Sequence, residues 1–291
     1  MTVFTYQEFT TRNLGFVSED EQTHLRNASV FVCGTGGMGG SAIMTLIRAG
    51  VGRLILADLD AFEVSNLNRQ LFATLKTVDQ DKAQATRDQC LQINPEADIE
   101  VFGADWTDHV ERLVQSADVV VNGTDDLGAS LLLYRTARAK GRAVIDAYAS
   151  PLPSVYVTAP GDPMPEERMD YTTRGTNWNE LTAVMRDAAA MAEAEYVLTH
   201  SSSRHHVDQA LAGEVIAGTR SRMSFAPMVI MAGTLMGGEA LQAVLGRSHG
   251  ADYRGWFLNP HTGRVEWPLP SFIAALMRPL VRRQMERLLA R

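Results

Sequence analysis

Two hydrophobic periods alternate along this chain. Short apolar runs, Ser29 to Cys33, Arg53 to Ala57, Ile99 to Phe102, Val119 to Asn122 and Ala143 to Tyr148, read as strands buried on both faces. Between them lie stretches with helical periodicity: Ser41 to Ala49, closed by Gly50, then Asp81 to Gln92, Val110 to Gln115 and Leu127 to Lys140. Ahead of the first strand, Ser18-Glu19-Asp20-Glu21 has capping-box spacing and opens a short helix to about Arg26. This alternation predicts a Rossmann-like α/β fold with a doubly wound, mostly parallel sheet. The pattern changes at Pro151. Val155-Tyr156-Val157 reads as a further strand, 160–179 as a loop rich in Pro, Gly and charge, and Ala/Met-rich helices follow. Trp256-Phe257-Leu258 and Arg264 to Trp267 flank Asn259-Pro260-His261-Thr262-Gly263 as a hairpin, an antiparallel C-terminal extension. Residues 1–150 are therefore expected to form a nucleotide-binding part. Residues 151–291 are expected to cover its ligand edge, within one domain.

Composition narrows the function classes. The chain has 291 residues, 45% of them hydrophobic, and a net charge of −7, which argues against a nucleic-acid partner. Its two cysteines, Cys33 and Cys90, exclude a disulfide framework and fit a cytoplasmic protein. Phe225 to Gly238 is the longest nearly uncharged apolar run, shorter than the roughly 20 residues of a membrane span, and no membrane partner is expected.

Candidate chemistry gathers after the first strand. In Gly34-Thr35-Gly36-Gly37-Met38-Gly39 the glycines allow a tight turn, a close backbone approach to phosphate and tight helix packing, with phosphate at a helix N-terminus. A purely structural turn is the plainer reading. Asp58, at the end of the second strand, is placed for ribose hydroxyls, which suits NAD as well as ATP. The cluster that follows, Asn66, Arg69, Gln70 and Lys82, suits a triphosphate: a guanidinium, an ammonium and amides would neutralise charge as pyrophosphate leaves.

Taken in order, Gly34 to Gly39, Asp58-Leu59-Asp60, Ser65 to Gln70, Lys82 and Thr124-Asp125 resemble the ThiF/MoeB/HesA superfamily of ubiquitin-activating-type adenylyltransferases. The likeness runs from about Thr11 to Ala149, and more weakly over Ser224 to Gly246, where Glu239-Ala240-Leu241 resembles the family's last core helix. It implies ATP and magnesium as cofactors. Gly36 and Gly39 would line the phosphates, Asp58 would hold the ribose hydroxyls, and Asn66, Arg69 and Lys82 would contact the triphosphate, with Gly34, Gly37, Asp60 and Gln70 completing the nucleotide-binding set. Asp125 would hold the metal, and Arg12, within Thr11-Arg12-Asn13, would reach the partner subunit's ATP in a homodimer. Arg69, Lys82, Asp125 and Arg12 form the catalytic set.

Where the pattern departs, expectations change. With no cysteine after Cys90, the family's paired Cys-x-x-Cys zinc site and its downstream thioester cysteine are both missing. No zinc is expected. The implied activity is adenylation of a carboxylate, the C-terminus of a small ubiquitin-like or sulfur-carrier protein or of a peptide, with release of pyrophosphate and without an enzyme thioester. An NAD-dependent oxidoreductase and a non-catalytic ATP-binding scaffold are the alternatives. Other readings stay open. Asp126 either shares the metal or caps the next helix, Arg12 is either a finger in trans or an ordinary surface arginine, and Asp146 is either structural or substrate-facing. His200, Arg204, His205 and His206 either bind substrate or form a polar loop. The series Arg278, Arg282, Arg283, Arg287 and Arg291 is a basic amphipathic helix or tail, either packed with a solvated face or free for a membrane surface or an acidic partner.

Overall fold

The structure is a computed structural model, and it describes residues 3–216 and 218–289. Arg291 lies outside the described residues. Five parallel strands form one side of an eight-stranded sheet: β1 (Ser29–Cys33), β2 (Arg53–Ala57), β3 (Asp98–Phe102), β4 (Val119–Asn122) and β5 (Val144–Asp146). Three antiparallel strands, β6 (Ser154–Thr158), β7 (Trp256–Asn259) and β8 (Arg264–Glu266), complete the order β3-β2-β1-β4-β5-β6-β7-β8. The expected mostly parallel sheet with an antiparallel extension is thus present. The sheet continues without a break past residue 150.

Register decides where chemistry can sit. Cys33 lies opposite both Ala57 and Asn122, and Asn122 lies opposite Asp146. The chain therefore leaves β1, β2, β4 and β5 at one level, the carboxyl edge where open α/β sheets bind ligands.

The helices α1 (Tyr6–Thr10), α2 (Glu19–Asn27), α3 (Gly37–Ala49), α4 (Lys82–Leu91), α5 (Trp106–Ser116) and α6 (Leu127–Ala139) alternate with these strands. After β6 come α7 (Pro165–Arg168), α8 (Ala183–His200), α9 (Gln209–Ile216), α10 (Ala226–Val244) and α11 (Ser271–Leu289). Side chains alternate along each strand, so Val30, Val32, Leu54, Leu56 and Val121 pack with α3 and α10 on one face. Phe31, Ile55, Val120 and Val144 pack with Trp106, Leu113 and Leu133 of α5 and α6 on the other. Both faces are dry, which explains runs that are apolar at every position.

Several bounds shift for physical reasons. The third helix starts at Gly37, four residues before the expected Ser41, although three of its first four residues are glycine. Helix propensity is poor there, and packing overrides it. α10 crosses so closely that a Cβ at Gly233 would lie 2.2 Å from the Met38 carbonyl oxygen. α5 begins at Trp106 instead of Val110, its first residue held 2% exposed with its ring 6.3 Å from that of Phe31. β5 ends at Asp146, short of Tyr148, and the expected 160–179 loop contains α7. The apolar run from Phe225 became α10, and no helix among the described residues is long and apolar enough to cross a membrane. α11 buries Ala274, Val281 and Met285, points Arg278 and Arg282 at Glu195, and leaves Arg283 and Arg287 exposed, a packed helix with a solvated face.

Candidate nucleotide and acyl site

Three glycines meet backbone to backbone at the carboxyl edge. Gly34 takes φ +87°, open to glycine at no steric cost, and a Cβ there would lie 2.4 Å from the Gly123 carbonyl carbon. A Cβ on Gly39 would lie 1.8 Å from the Gly34 oxygen, and one on Gly123 would lie 2.5 Å from that same oxygen. The turn after β1 is thereby pressed against the end of β4. Gly36 caps α3 without a side chain, so no side-chain group occupies the helix's first N–H groups, the kind of helix terminus at which anions bind.

Asp58 ties this turn to β2. Its Oδ2 accepts from the Thr35 N–H at 2.7 Å and the Thr35 hydroxyl at 3.0 Å, and its Oδ1 accepts from the Asp60 N–H at 3.0 Å. Each carboxylate oxygen offers two lone pairs, so capacity remains for a ribose hydroxyl.

The segment from Glu63 to Gln70 folds back over the turn. Asn66 is 6% exposed and shapes it, its Oδ1 accepting from the Glu63 N–H at 3.0 Å. The Arg69 stem passes 3.9 Å from where a Gly37 Cβ would stand, while its Nη1 donates to the Ser65 carbonyl and the Asn68 Oδ1, both at 2.9 Å. Gln70 is 7% exposed, its carboxamide is 3.5 Å from where a Gly36 Cβ would stand, and its buried Oε1 has no partner. Lys82 opens α4 with its Nζ 2.8 Å from Asp60 Oδ2, so the two expected ligands pair with one another.

The two aspartates after β4 divide their roles. Asp126 caps α6, accepting from the Ala129 N–H at 2.8 Å, and pairs with Arg186 at 2.6 Å. Asp125 is exposed and makes no hydrogen bond or ion pair among the described residues. The helix-capping reading of Asp126 is the one the geometry supports. Arg12, in a short turn at Thr11–Asn13, is exposed.

Beside the turn opens a cavity of about 290 Å³, lined among others by Met38, Asp125, Tyr148, Tyr171, Glu193 and Arg222. Asp146 lines it at 5% exposure, accepting from Asn122 at 3.1 Å, Tyr134 at 2.9 Å and the Ala147 N–H at 2.7 Å. Burial pushes its carboxyl up to about 7 against those three donors. Asp146 is therefore structural and cavity-facing at once. A shallower depression along Arg135, Glu166 and Arg174 shares none of these residues and is walled by the Arg135–Glu166 ion pair at 2.7 Å.

The histidines lie elsewhere. His200 is a core residue whose Nδ1 accepts from the Leu269 N–H at 3.0 Å, and burial pushes it down to about 4. His205 ends the turn Ser203–His205, and His206 stacks on His261 at 4.3 Å, so the polar-loop reading holds for them. Cys33 and Cys90 are buried free thiols, pushed up by desolvation, Cys90 to about 12, and are poor nucleophiles. Among the described residues no group of three or more His, Cys, Asp or Glu is placed to hold a metal ion.

Sequence reasoning missed Gly123, Tyr148 and Glu193. Gly123 had a local signal, a glycine directly after an apolar strand. The other two lie 45 residues apart in the chain and carry no mutual spacing.

The ThiF family pattern matches residues 10–270. The sulfur carrier protein ThiS adenylyltransferase of Escherichia coli is 35% identical over 112 residues, 38% of this chain and 45% of that protein. The tRNA threonylcarbamoyladenosine dehydratase of Bacillus subtilis is 34% identical over 122 residues, 41% of this chain and 48% of that protein. The aligned segments span less than half the length of these relatives. Among solved structures, PaaA superposes with a TM-score of 0.61 at 21% identity, covering 91% of this chain and 84% of that one. E. coli MccB, crystallised with ATP, gives 0.61 at 19% identity over 85% and 65% of the two chains. Both show the shared fold.

Proposed function

This chain belongs to the ThiF family, and from that membership we propose that it is an ATP- and magnesium-dependent adenylyltransferase that activates a carboxylate as acyl-AMP and releases pyrophosphate. The observation that carries the reading is the return of the Asn66–Gln70 segment onto the glycine turn. It sets the Arg69 stem over the start of α3 and leaves the buried Gln70 Oε1 without a partner beside Gly36. A dinucleotide needs no such cover, whereas a triphosphate needs its charge balanced. The named relative that activates a sulfur carrier and the ATP complex of MccB support it.

In this reading Asp58 orients the ribose and the α3 N-terminus receives phosphate. Arg69 leaves its own loop carbonyl, and Lys82 its partner Asp60, to neutralise the departing pyrophosphate. Asp125, whose carboxylate is unengaged, would hold magnesium, which takes one or two carboxylates plus phosphate and water and would supply further charge neutralisation. Arg12, exposed and free to reach outward, acts on the ATP of a second copy. Exposed Leu59, Val64 and Leu75 around the cover segment give such a homodimer an apolar surface. The substrate is the C-terminal carboxylate of a small carrier protein or a peptide. With both thiols buried, the acyl-adenylate passes directly to an outside nucleophile.

Pyrophosphate–ATP exchange dependent on a carboxyl-terminated partner tests the reading. Exchange should appear with the correct partner and fall at least a hundredfold in Arg69→Ala, the scale of losing one preorganised charge-stabilising donor. Exchange unaffected by that substitution refutes the role of Arg69. No exchange with any carboxylate, alongside intact ATP binding, refutes adenylation and leaves the scaffold.

A further inference from the structure

Arg168 ends α7 inside a box of aromatic rings. Its guanidinium carbon lies 4.9 Å from the centre of the Tyr196 ring, 5.2 Å from Tyr156 and 5.7 Å from Tyr148. Its Nε and Nη1 are buried without a hydrogen-bond partner, and it forms no ion pair among the described residues. Its single polar partner is the Tyr148 hydroxyl, to which Nη2 donates.

That one contact settles what Tyr148 can do next. A guanidinium can only donate, so the phenolic oxygen is the acceptor and its own hydrogen is left over. No acceptor for it exists among the described residues. Three tyrosines line the cavity beside the glycine turn, and the other two are committed. Tyr134 donates to Asp146 at 2.9 Å and Tyr171 donates to Glu193 at 2.8 Å. Tyr148 is 8% exposed, lines the cavity, and alone of the three tyrosines has a donor to spare.

We propose that Tyr148, backed by Arg168, is the seat of the substrate's carboxylate, donating its hydroxyl hydrogen to one carboxylate oxygen and leaving the other free towards the nucleotide end at Met38 and Asp125. This rests on the adenylation reading and deepens it by naming the group that recognises the acyl substrate. Arg168 is a positioning residue: it orients the phenol and makes its hydrogen bond charge-assisted. The electrostatics agree with an anion, because burial raises both cavity carboxyls, Asp146 and Glu193, towards their neutral forms, Glu193 against the pull of Arg168, and Arg168 forms no ion pair among the described residues.

The test uses the full chain saturated with a non-hydrolysable ATP analogue and titrated with N-acetylglycylglycine, binding being read by calorimetry. The wild type should bind it, and should lose binding about tenfold or more when the probe's carboxylate is capped as the amide. Tyr148→Phe keeps the ring and removes only the hydroxyl, and should weaken binding about tenfold with affinity for the ATP analogue unchanged. Arg168→Lys should weaken it in the wild-type background and add nothing in Tyr148→Phe, a pattern that general loosening of the box would not give. No binding by the wild type, equal binding of acid and amide, or equal binding by Tyr148→Phe overturns the proposal. The amide comparison decides the matter even if a variant fails to fold. Carboxylate binding that depends on Tyr148 without any pyrophosphate exchange would refute adenylation and leave this site standing.

Discussion

Gly123→Ala isolates the backbone contact on which the nucleotide turn depends. The added methyl group would stand 2.5 Å from the Gly34 carbonyl oxygen and 2.8 Å from the Gly39 Cα, where real Cβ atoms essentially never come closer than 3.0 Å. Gly34 must therefore retreat by about half an ångström, and both contacts are backbone, so no side chain can rotate away. Overpacking of this kind costs about 1–3 kcal/mol. For a chain of this size the melting temperature should fall by roughly 2–10 °C. The larger effect should be on ATP. The turn that moves is the one that presents the α3 N-terminus, so affinity should fall at least tenfold while circular dichroism stays native. Thermal melting and calorimetric titration of ATP measure the two effects on one sample. Gly161→Ala is the control, since its Cβ meets nothing within 4 Å. If Gly123→Ala melts and binds ATP as the wild type does, the turn is not gripped by β4 and the argument for its rigidity fails.

Further expectations concern other parts of the molecule. Adjacent glycines of α10 should differ in sign: Gly238→Ala meets nothing within 4 Å and should stabilise by about 0.5–1 kcal/mol, as helical Gly→Ala does. Gly237→Ala would stand 2.7 Å from the Thr45 Cβ and should destabilise, both by thermal melting. Asp126→Ala should cost about 1 kcal/mol through loss of the α6 cap, with magnesium dependence unchanged. Asp125→Asn should keep its stability and lose magnesium-dependent turnover, and equal behaviour of the two would refute their division of roles. Because the folded His200 has its pKa depressed to about 4 from 6.5, the unfolded chain takes up the proton first as pH falls. Its stabilising contribution is full above about 6.5 and lost between there and about 4. Urea unfolding of His200→Gln should therefore show a flatter acid limb over that window than the wild type.

How much could be read from the chain alone follows from how local each signal is. The glycine turn, the strand before it and Asp58 after the next strand lie within one βαβ unit, and each residue's type is dictated by its own backbone position. Hence the fold was legible, and the residues expected at its nucleotide end do gather at one edge of the sheet. The capping box at Ser18 was legible for the same reason, with Ser18 and Glu21 bonding reciprocally as their spacing requires. The start of α3 was not, because Gly37, Gly39 and Gly40 oppose a helix and only the crossing of α10, almost two hundred residues later, imposes one. The acyl end was invisible for a related reason. Tyr148, Arg168 and Tyr196 come from a loop, a single-turn helix and a long helix, and neither a periodicity nor a motif links them. The role of Asp126 could be narrowed only when Arg186, sixty residues on, was found against it.

The crossing of α10 over α3 also constrains how such a molecule can be recombined. A Cβ on Gly37 would lie 2.5 Å from Val229 Cγ1, and α10 touches β4, β5 and β6 as well as α3. The parallel half of the sheet is thus unfinished until a helix from the far end of the chain is laid over its first turn. A truncation at residue 150 would retain the expected nucleotide ligands but strip the scaffold that shapes them. The segment between, residues 160–224, carries Arg168, Glu193 and Arg222 and none of that clamp. A graft of this segment from a relative, with α10 kept native, should exchange substrate preference, provided it keeps the Ser224 carbonyl that accepts from Asn68 and the Arg186 that pairs with Asp126.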